Sequence, residues 1–331
     1  MLAAFLTTRG AVVKQTAIRS PKPDEVRLKV DACGICGTDL HEREIKGEEG
    51  FGHEIAGTVV ETGSAVKTVK VGQKVALDSA SPCGICDACH DGKQELCTNL
   101  KSIWCCGTFG FAEEVLGPIE SVLPYEGLDP AVACLQEPLG VAIDMVRLAD
   151  ITIESNVLVS GGGPIGLMAL ALARRAGARR VFLIQPTRRT GRVKVARQFG
   201  ADAVLDPKDD PVEKHDFGCK IDRILSTSAP QTMPALFKVA AKGAIISYIG
   251  IEHGKGAFCT FDVNDFHFKK LQLRASFASP ALFGPMALRF MKEKVVNGEA
   301  LVSHRFALKD IEKAMQVAKK DPSAVKVVIA P

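Results

Sequence analysis

No apolar stretch in the 331-residue chain is long enough to cross a bilayer, and the run at residues 165–173 stops at Arg174 and Arg175. Long runs of lysine or arginine are missing too. The net charge is only +4, so neither nucleic acid nor a membrane is expected as a partner. The apolar residues 1–6 are too few for a secretory leader, and no small-residue cleavage site follows them. They read as a first β-strand, and the expected location is the cytoplasm. Internal repeats and low-complexity segments are also lacking. Apolar residues make up 47% and charged residues 24%, a globular composition, and the length fits two domains at roughly 100–200 residues each.

Cysteine is the residue in excess. Eleven cysteines is an odd count, and four of them crowd into one short segment. That pattern argues for metal binding in a reducing compartment over a disulfide framework.

Short β-branched segments at residues 25–31 and 55–61, punctuated by Pro21, Pro23, Gly63 and Gly72, predict an all-β region to about residue 124. The texture changes after Pro138. Helical spacing covers residues 139–149, 164–177, 192–200 and 232–241. Strands are expected at 157–160, 181–184, 203–205, 221–225 and 244–249. This alternation predicts a parallel, doubly wound sheet. A strand at 271–276, a helix at 285–297 and a last strand at 324–329 complete the expectation.

The sharpest motif is Cys83, Cys86, Cys89 and Cys97, with Pro82, Gly84 and Gly92 supplying turns. Four thiolates fill a tetrahedral zinc shell and leave no open position, so this site is expected to be structural. His90, inside the loop, reads as a solvated bystander.

A second motif, Gly161-Gly162-Gly163-Pro164-Ile165-Gly166, lies between an expected strand and an expected helix. Gly161 makes the tight turn, Gly163 lets the backbone approach a pyrophosphate, and Gly166 allows close helix–strand packing. The phosphates sit at the N-terminus of the helix that Pro164 and Ile165 begin. An NAD site needs an acid at the end of the next strand. Here that strand ends in Gln185, with Arg188 and Arg189 following, which favours NADP over NAD. Thr227 and Gly250, after later strands, are further candidates for cofactor contact.

A third signal is dispersed. Cys36, His53 and Glu137 offer a thiolate, an imidazole and a carboxylate, the donor types of a catalytic zinc with an open position. Each also has an ordinary reading, as a buried thiol, a core histidine and a helix-start glutamate. Spacing alone does not choose.

Taken together, the segments 32–39, 52–54, 71–75, 83–97 and 107–115 resemble those of the zinc-containing medium-chain dehydrogenases/reductases, which include alcohol, sorbitol, butanediol and threonine dehydrogenases. The resemblance runs nearly end to end. It implies an α/β chain with two domains. A mainly β, GroES-like catalytic domain (1–138 and 275–331) would carry a structural zinc lobe at about 80–100. A doubly wound Rossmann domain (139–274) would bind the dinucleotide. It further implies two zinc ions per chain, one on the four-cysteine loop and a catalytic one on Cys36, His53 and Glu137. Glu54 would be the nearby carboxylate that approaches or replaces the zinc-bound water. Asp39 would orient His53, while Thr38 and His41 would relay a proton. Glutamate at 137 points to polyols, sugars or vicinal diols and their ketones as small-molecule substrates, with a hydroxy-amino acid of the threonine type second. A homodimer or homotetramer is implied.

Three departures stand out. The stretch between Cys36 and His53 is short, the second strand lacks its acid, and Ser226-Thr227-Ser228 replaces the usual small residue and glycine. The competing readings are a zinc-free quinone reductase, a cofactor-binding regulatory protein with a degenerate site, and a nucleic-acid-binding zinc module. The intact Cys36/His53/Glu137 set opposes the first, and the near-neutral charge opposes the last.

Overall fold

Val26, Leu28 and Val30 alternate along the strand Glu25–Gly34 and are at most 1% exposed. One face of the strand is therefore core, as a period of two dictates. This strand organises a seven-stranded sheet. It pairs antiparallel with Glu54–Thr62, with Glu114–Pro118 and, at its far end, with Lys326–Ala330. The register sets Gly34 opposite both Glu54 and Val328. Residues 34–36, 53–54 and the start of the last strand thus meet at one sheet end, although they are distant in sequence. The computed structural model describes residues 1–40, 47–277 and 281–331. Residues 1–140 and 278–331 form one unit and 141–277 a second.

The second unit is a six-stranded parallel sheet. Its strands are Asn156–Ser160, Arg180–Ile184, Ala203–Leu205, Ile221–Ser226, Ala240–Tyr248 and Gln272–Ala275. They lie in the spatial order third, second, first, fourth, fifth, sixth. That is the doubly wound order, whose crevice opens at the carboxyl end of the first strand. Helices Pro164–Arg175, Thr190–Gln198 and Met233–Val239 connect the strands, as the alternation predicts.

The C-terminal part departs from expectation. The helix anticipated over 285–297 is Gly284–Lys292, because Lys294 takes φ +56° and reverses the chain. The strand Val302–Ala307 and the helix Ile311–Lys320 were not anticipated. The strand's inward positions are only half-buried, so its apolar signal is weak. The helix does carry the i, i+3, i+4 pattern, in Ile311, Ala314 and Met315. No helix among the described residues is long and apolar enough to cross a membrane.

Candidate metal centres and dinucleotide site

Cys83, Cys86, Cys89 and Cys97 converge, with all four sulfurs within 4.8 Å of one another. Cys86 Sγ lies 3.5 Å from Cys89 Sγ and 3.8 Å from Cys97 Sγ, and Cys97 Sγ lies 3.6 Å from Cys83 Sγ. A tetrahedral ion about 2.3 Å from each sulfur spaces the sulfurs about 3.8 Å apart, so the cradle has the dimensions of zinc. Backbone N–H groups already serve the sulfurs. Cys83 N donates to Cys97 Sγ at 3.3 Å and Ile85 N to Cys83 Sγ at 3.5 Å. The backbone N–H of Thr98, then that of Cys89, draw the Cys86 thiol down to about 6. His90 is exposed at the end of the short helix Asp87–His90, outside the sulfur cluster.

At the sheet end, donor atoms of Cys36, His53 and Glu54 also lie within 4.8 Å of one another. Glu54 is 1% exposed, and its two carboxylate oxygens accept from Lys326 Nζ at 2.6 Å each. Lys326, 2% exposed, also donates to the Ile35 carbonyl at 3.0 Å. Burial disfavours its charge, but Glu54 outweighs that and holds the ammonium above its ordinary value. Asp39, buried on the turn Gly37–Leu40, accepts from Cys36 N at 2.9 Å and so fixes the backbone that presents the thiol. Thr38 is half-buried on the same turn. His41 lies outside the described residues.

Glu137 sits in the first turn of the helix Gln136–Leu148, where Ser79 Oγ donates to its Oε1 at 3.1 Å. It is outside the tight Cys36/His53/Glu54 group but close enough to act on His53. Burial pulls the His53 imidazole down. Contact with Cys36 and the charges of Glu137 and Asp39 overcome this and hold it well above its ordinary value. Burial, assisted by Glu54, pushes Glu137 up. The sulfur, nitrogen and oxygen donors gathered here suit zinc.

In the second unit the glycine turn is shaped for close approach. Gly161 has φ +98°, and a Cβ there would stand 2.5 Å from Thr227 Oγ1. A Cβ at Gly166 would lie 1.8 Å from the Gly161 carbonyl oxygen. Gly163 opens onto free space and caps the helix Pro164–Arg175 with no side chain. The helix N–H groups, Ile165 among them, are therefore left for an anion. Thr227 Oγ1 donates to the Ser160 and Gly161 carbonyls at 3.1 and 3.0 Å, which makes it a brace of the turn. Gln185, 3% exposed, accepts from Gly162 N at 2.9 Å, so its amide is engaged with the glycine turn. Asp206 accepts from Thr187 N and Oγ1 at 2.6 and 2.7 Å and fixes the turn that presents Arg188, which is exposed, and Arg189, which is half-buried. Gly250 is exposed after the fifth strand, beside the Tyr248 hydroxyl.

Sequence reasoning missed four participants. Arg192 has a buried Nε with no hydrogen-bond partner, and its guanidinium is pushed down to about 10 by burial and then by Arg189. Its position three residues after Arg189 on a helix is a usable signal. Lys326 signals itself as a lysine within an apolar strand. Ser79 and Trp104, whose ring centroid lies 6.1 Å from that of His53, carry no local signal.

Comparison with known proteins follows the same lines. Residues 22–127 match the alcohol dehydrogenase GroES-like domain, and residues 164–293 match the zinc-binding dehydrogenase domain. L-threonine 3-dehydrogenase of Bacillus velezensis is 32% identical over 97% of this chain and 96% of its own length. L-galactonate-5-dehydrogenase of Escherichia coli K12 is 31% identical over 89% of this chain and 88% of its own. The crystal structure of a zinc-binding dehydrogenase from Sinorhizobium meliloti 1021 bound to NADP is 30% identical. It superposes with a TM-score of 0.88 over 100% of this chain and 99% of that one. With a GroES-like unit carrying two clusters of zinc donors and a doubly wound unit carrying a pyrophosphate turn, the chain belongs to the zinc-containing medium-chain dehydrogenases, a family of nicotinamide-dependent oxidoreductases.

Proposed function

We propose that this enzyme moves a hydride between a secondary alcohol of the polyol, sugar or vicinal-diol class and a nicotinamide cofactor, with NADP preferred. The observation that carries the reading is the convergence of Cys36, His53 and a buried carboxylate at one sheet end. Similarity to a sugar-acid dehydrogenase supports the substrate class. Similarity to threonine dehydrogenases supports a second reading, in which the substrate is a hydroxy-amino acid. The preference for NADP rests on the missing acid at Gln185 and on Arg188, Arg189 and Arg192 beyond it.

In this reading residues 1–138 and 275–331 are the catalytic domain and 139–274 the cofactor domain. Cys83, Cys86, Cys89 and Cys97 hold the structural zinc, and Cys36, His53 and Glu137 hold the catalytic one. When bound, zinc supplies a Lewis acid that favours the alkoxide and the nicotinamide supplies the hydride acceptor. Asp39 keeps the Cys36 backbone in place. Lys326 restrains Glu54, which lies within reach of the metal donors and is the carboxylate able to enter the shell. Thr38 takes the substrate hydroxyl proton and passes it towards His41 or water.

The chain works as a homodimer or homotetramer. Among the described residues the edge strand Gln272–Ala275 is paired on one side only, and Leu273 within it and Phe277 just after it are exposed, a surface suited to a second copy. A reducing cytoplasm keeps the zinc-binding thiolates available. The test is turnover of D-sorbitol, 2,3-butanediol and L-threonine with NAD and with NADP. Polyol oxidation with NADP supports the reading, preference for L-threonine replaces it with the second, and cofactor binding without turnover of any alcohol overturns both.

A further inference from the structure

Trp104 is the single tryptophan of the chain, and it is 50% exposed. Its exposure does not come from a loose segment. The 3-10 turn Ile103–Cys106 that carries it is anchored by Ile103, fully buried on one side of the tryptophan, and by Cys106, buried on the other. Arg19 Nη2, ion-paired with Glu25, donates to the Cys106 carbonyl at 3.3 Å. Gly107, at φ +73°, then ends the turn. The chain beyond is tied to the segment that leads into His53. Gly110 N donates to the Gly52 carbonyl at 2.9 Å and Phe111 N to the Phe51 carbonyl at 3.2 Å. A Cβ on Gly52 would lie 2.6 Å from the Phe111 ring, so the two segments approach as closely as backbone allows. The indole is thereby held at a set distance from a zinc-donor histidine, with ring centroids 6.1 Å apart and planes at 38°.

Leaving half an indole in water forgoes much of the apolar burial that such a ring supplies. A turn braced on both sides that presents the ring beside the metal donors therefore has a ligand-facing role. We propose that Trp104 is the platform on which the carbon chain of the substrate lies, and that it selects for extended polyols over short diols. The inference rests on the polyol reading given above. An indole face is electron-rich, and the C–H bonds of a polyol chain carry the complementary partial charge, while its hydroxyls remain free for water and polar groups. With one hydroxyl held at the Cys36/His53 site, a hexitol is long enough to cover the ring. A four-carbon diol leaves most of the ring bare.

The experiment compares wild type, Trp104→Ala and Trp104→Phe, each with its zinc content measured, on D-sorbitol and 2,3-butanediol. Trp104→Ala is expected to raise KM for sorbitol by about tenfold and for butanediol by less than about twofold, with kcat changed by less than about twofold, and Trp104→Phe to recover most of the loss. Because the chain has one tryptophan, its emission in the zinc-loaded wild type is an independent readout. Sorbitol with a reduced, non-reacting cofactor should perturb it saturably. Equal KM penalties for the two alcohols, or emission unmoved by saturating sorbitol, overturn the proposal. If neither polyol is turned over but another alcohol is, the polyol reading fails, and with it the selection for extended chains. The response of the emission to that other alcohol then shows whether Trp104 faces substrate at all.

Discussion

Replacing Lys326 by methionine removes the cation from a pair whose partners are 2% and 1% exposed and leaves Glu54 buried without compensation. Methionine keeps most of the stem, so the packing loss is small and the effect is electrostatic. The severed contacts are the two 2.6 Å bonds to Glu54 and the 3.0 Å bond to the Ile35 carbonyl. Breaking a buried pair from one side costs about 3–5 kcal/mol, whereas replacing both partners by neutral groups is often close to neutral. Lys326→Met should therefore lower the unfolding free energy of the enzyme carrying only the structural zinc by about 3–5 kcal/mol, and Lys326→Met with Glu54→Gln should regain most of it. Denaturant titration followed by Trp104 emission reports on the unit that contains the pair. A single substitution costing under about 1 kcal/mol, or a double substitution no better than the single, would refute the electrostatic argument.

Gly166→Ala places a Cβ 1.8 Å from the Gly161 carbonyl oxygen, a backbone atom that no rotamer change can move. The helix must shift off the turn, so the dissociation constant of NADPH should rise at least about tenfold in a fluorescence titration, with zinc content unaltered. At Glu25 burial alone would raise the pKa, but Arg19 and the Lys22 N–H hold it below its ordinary 4.5. The unfolded chain therefore binds more protons there. The stabilisation is present above about pH 4.5 and is lost as pH falls through the folded value. The Tm gap between wild type and Arg19→Met should be widest near neutrality and close on acidification. A gap independent of pH would count against the pairing.

Local chemistry was the legible part of the sequence. The four cysteines share one loop, and the glycine turn is contiguous, so each motif holds its own geometric requirement. The doubly wound order follows from the strand–helix alternation after Pro138, where apolar periods switch cleanly. What sequence could not convey were relations made by register and rotamer. Lys326 meets Glu54 across 272 positions only because the last strand pairs beside Gly34. Gln185 reads as a cofactor contact, yet its rotamer turns the amide oxygen onto Gly162 N. The carboxylate whose oxygen lies within 4.8 Å of the Cys36 and His53 donors is Glu54, a distinction from Glu137 that depends on side-chain direction. Trp104 is silent in sequence because nothing local ties it to His53.

Bound zinc and turnover in wild type and Cys36→Ala, measured on the same preparations, test the central claim most directly. The two donor clusters predict two zincs per chain and alcohol turnover in wild type, and one zinc, intact cofactor binding and no turnover in the variant. Full turnover in Cys36→Ala, or unchanged zinc content, would contradict the assignment of the catalytic metal.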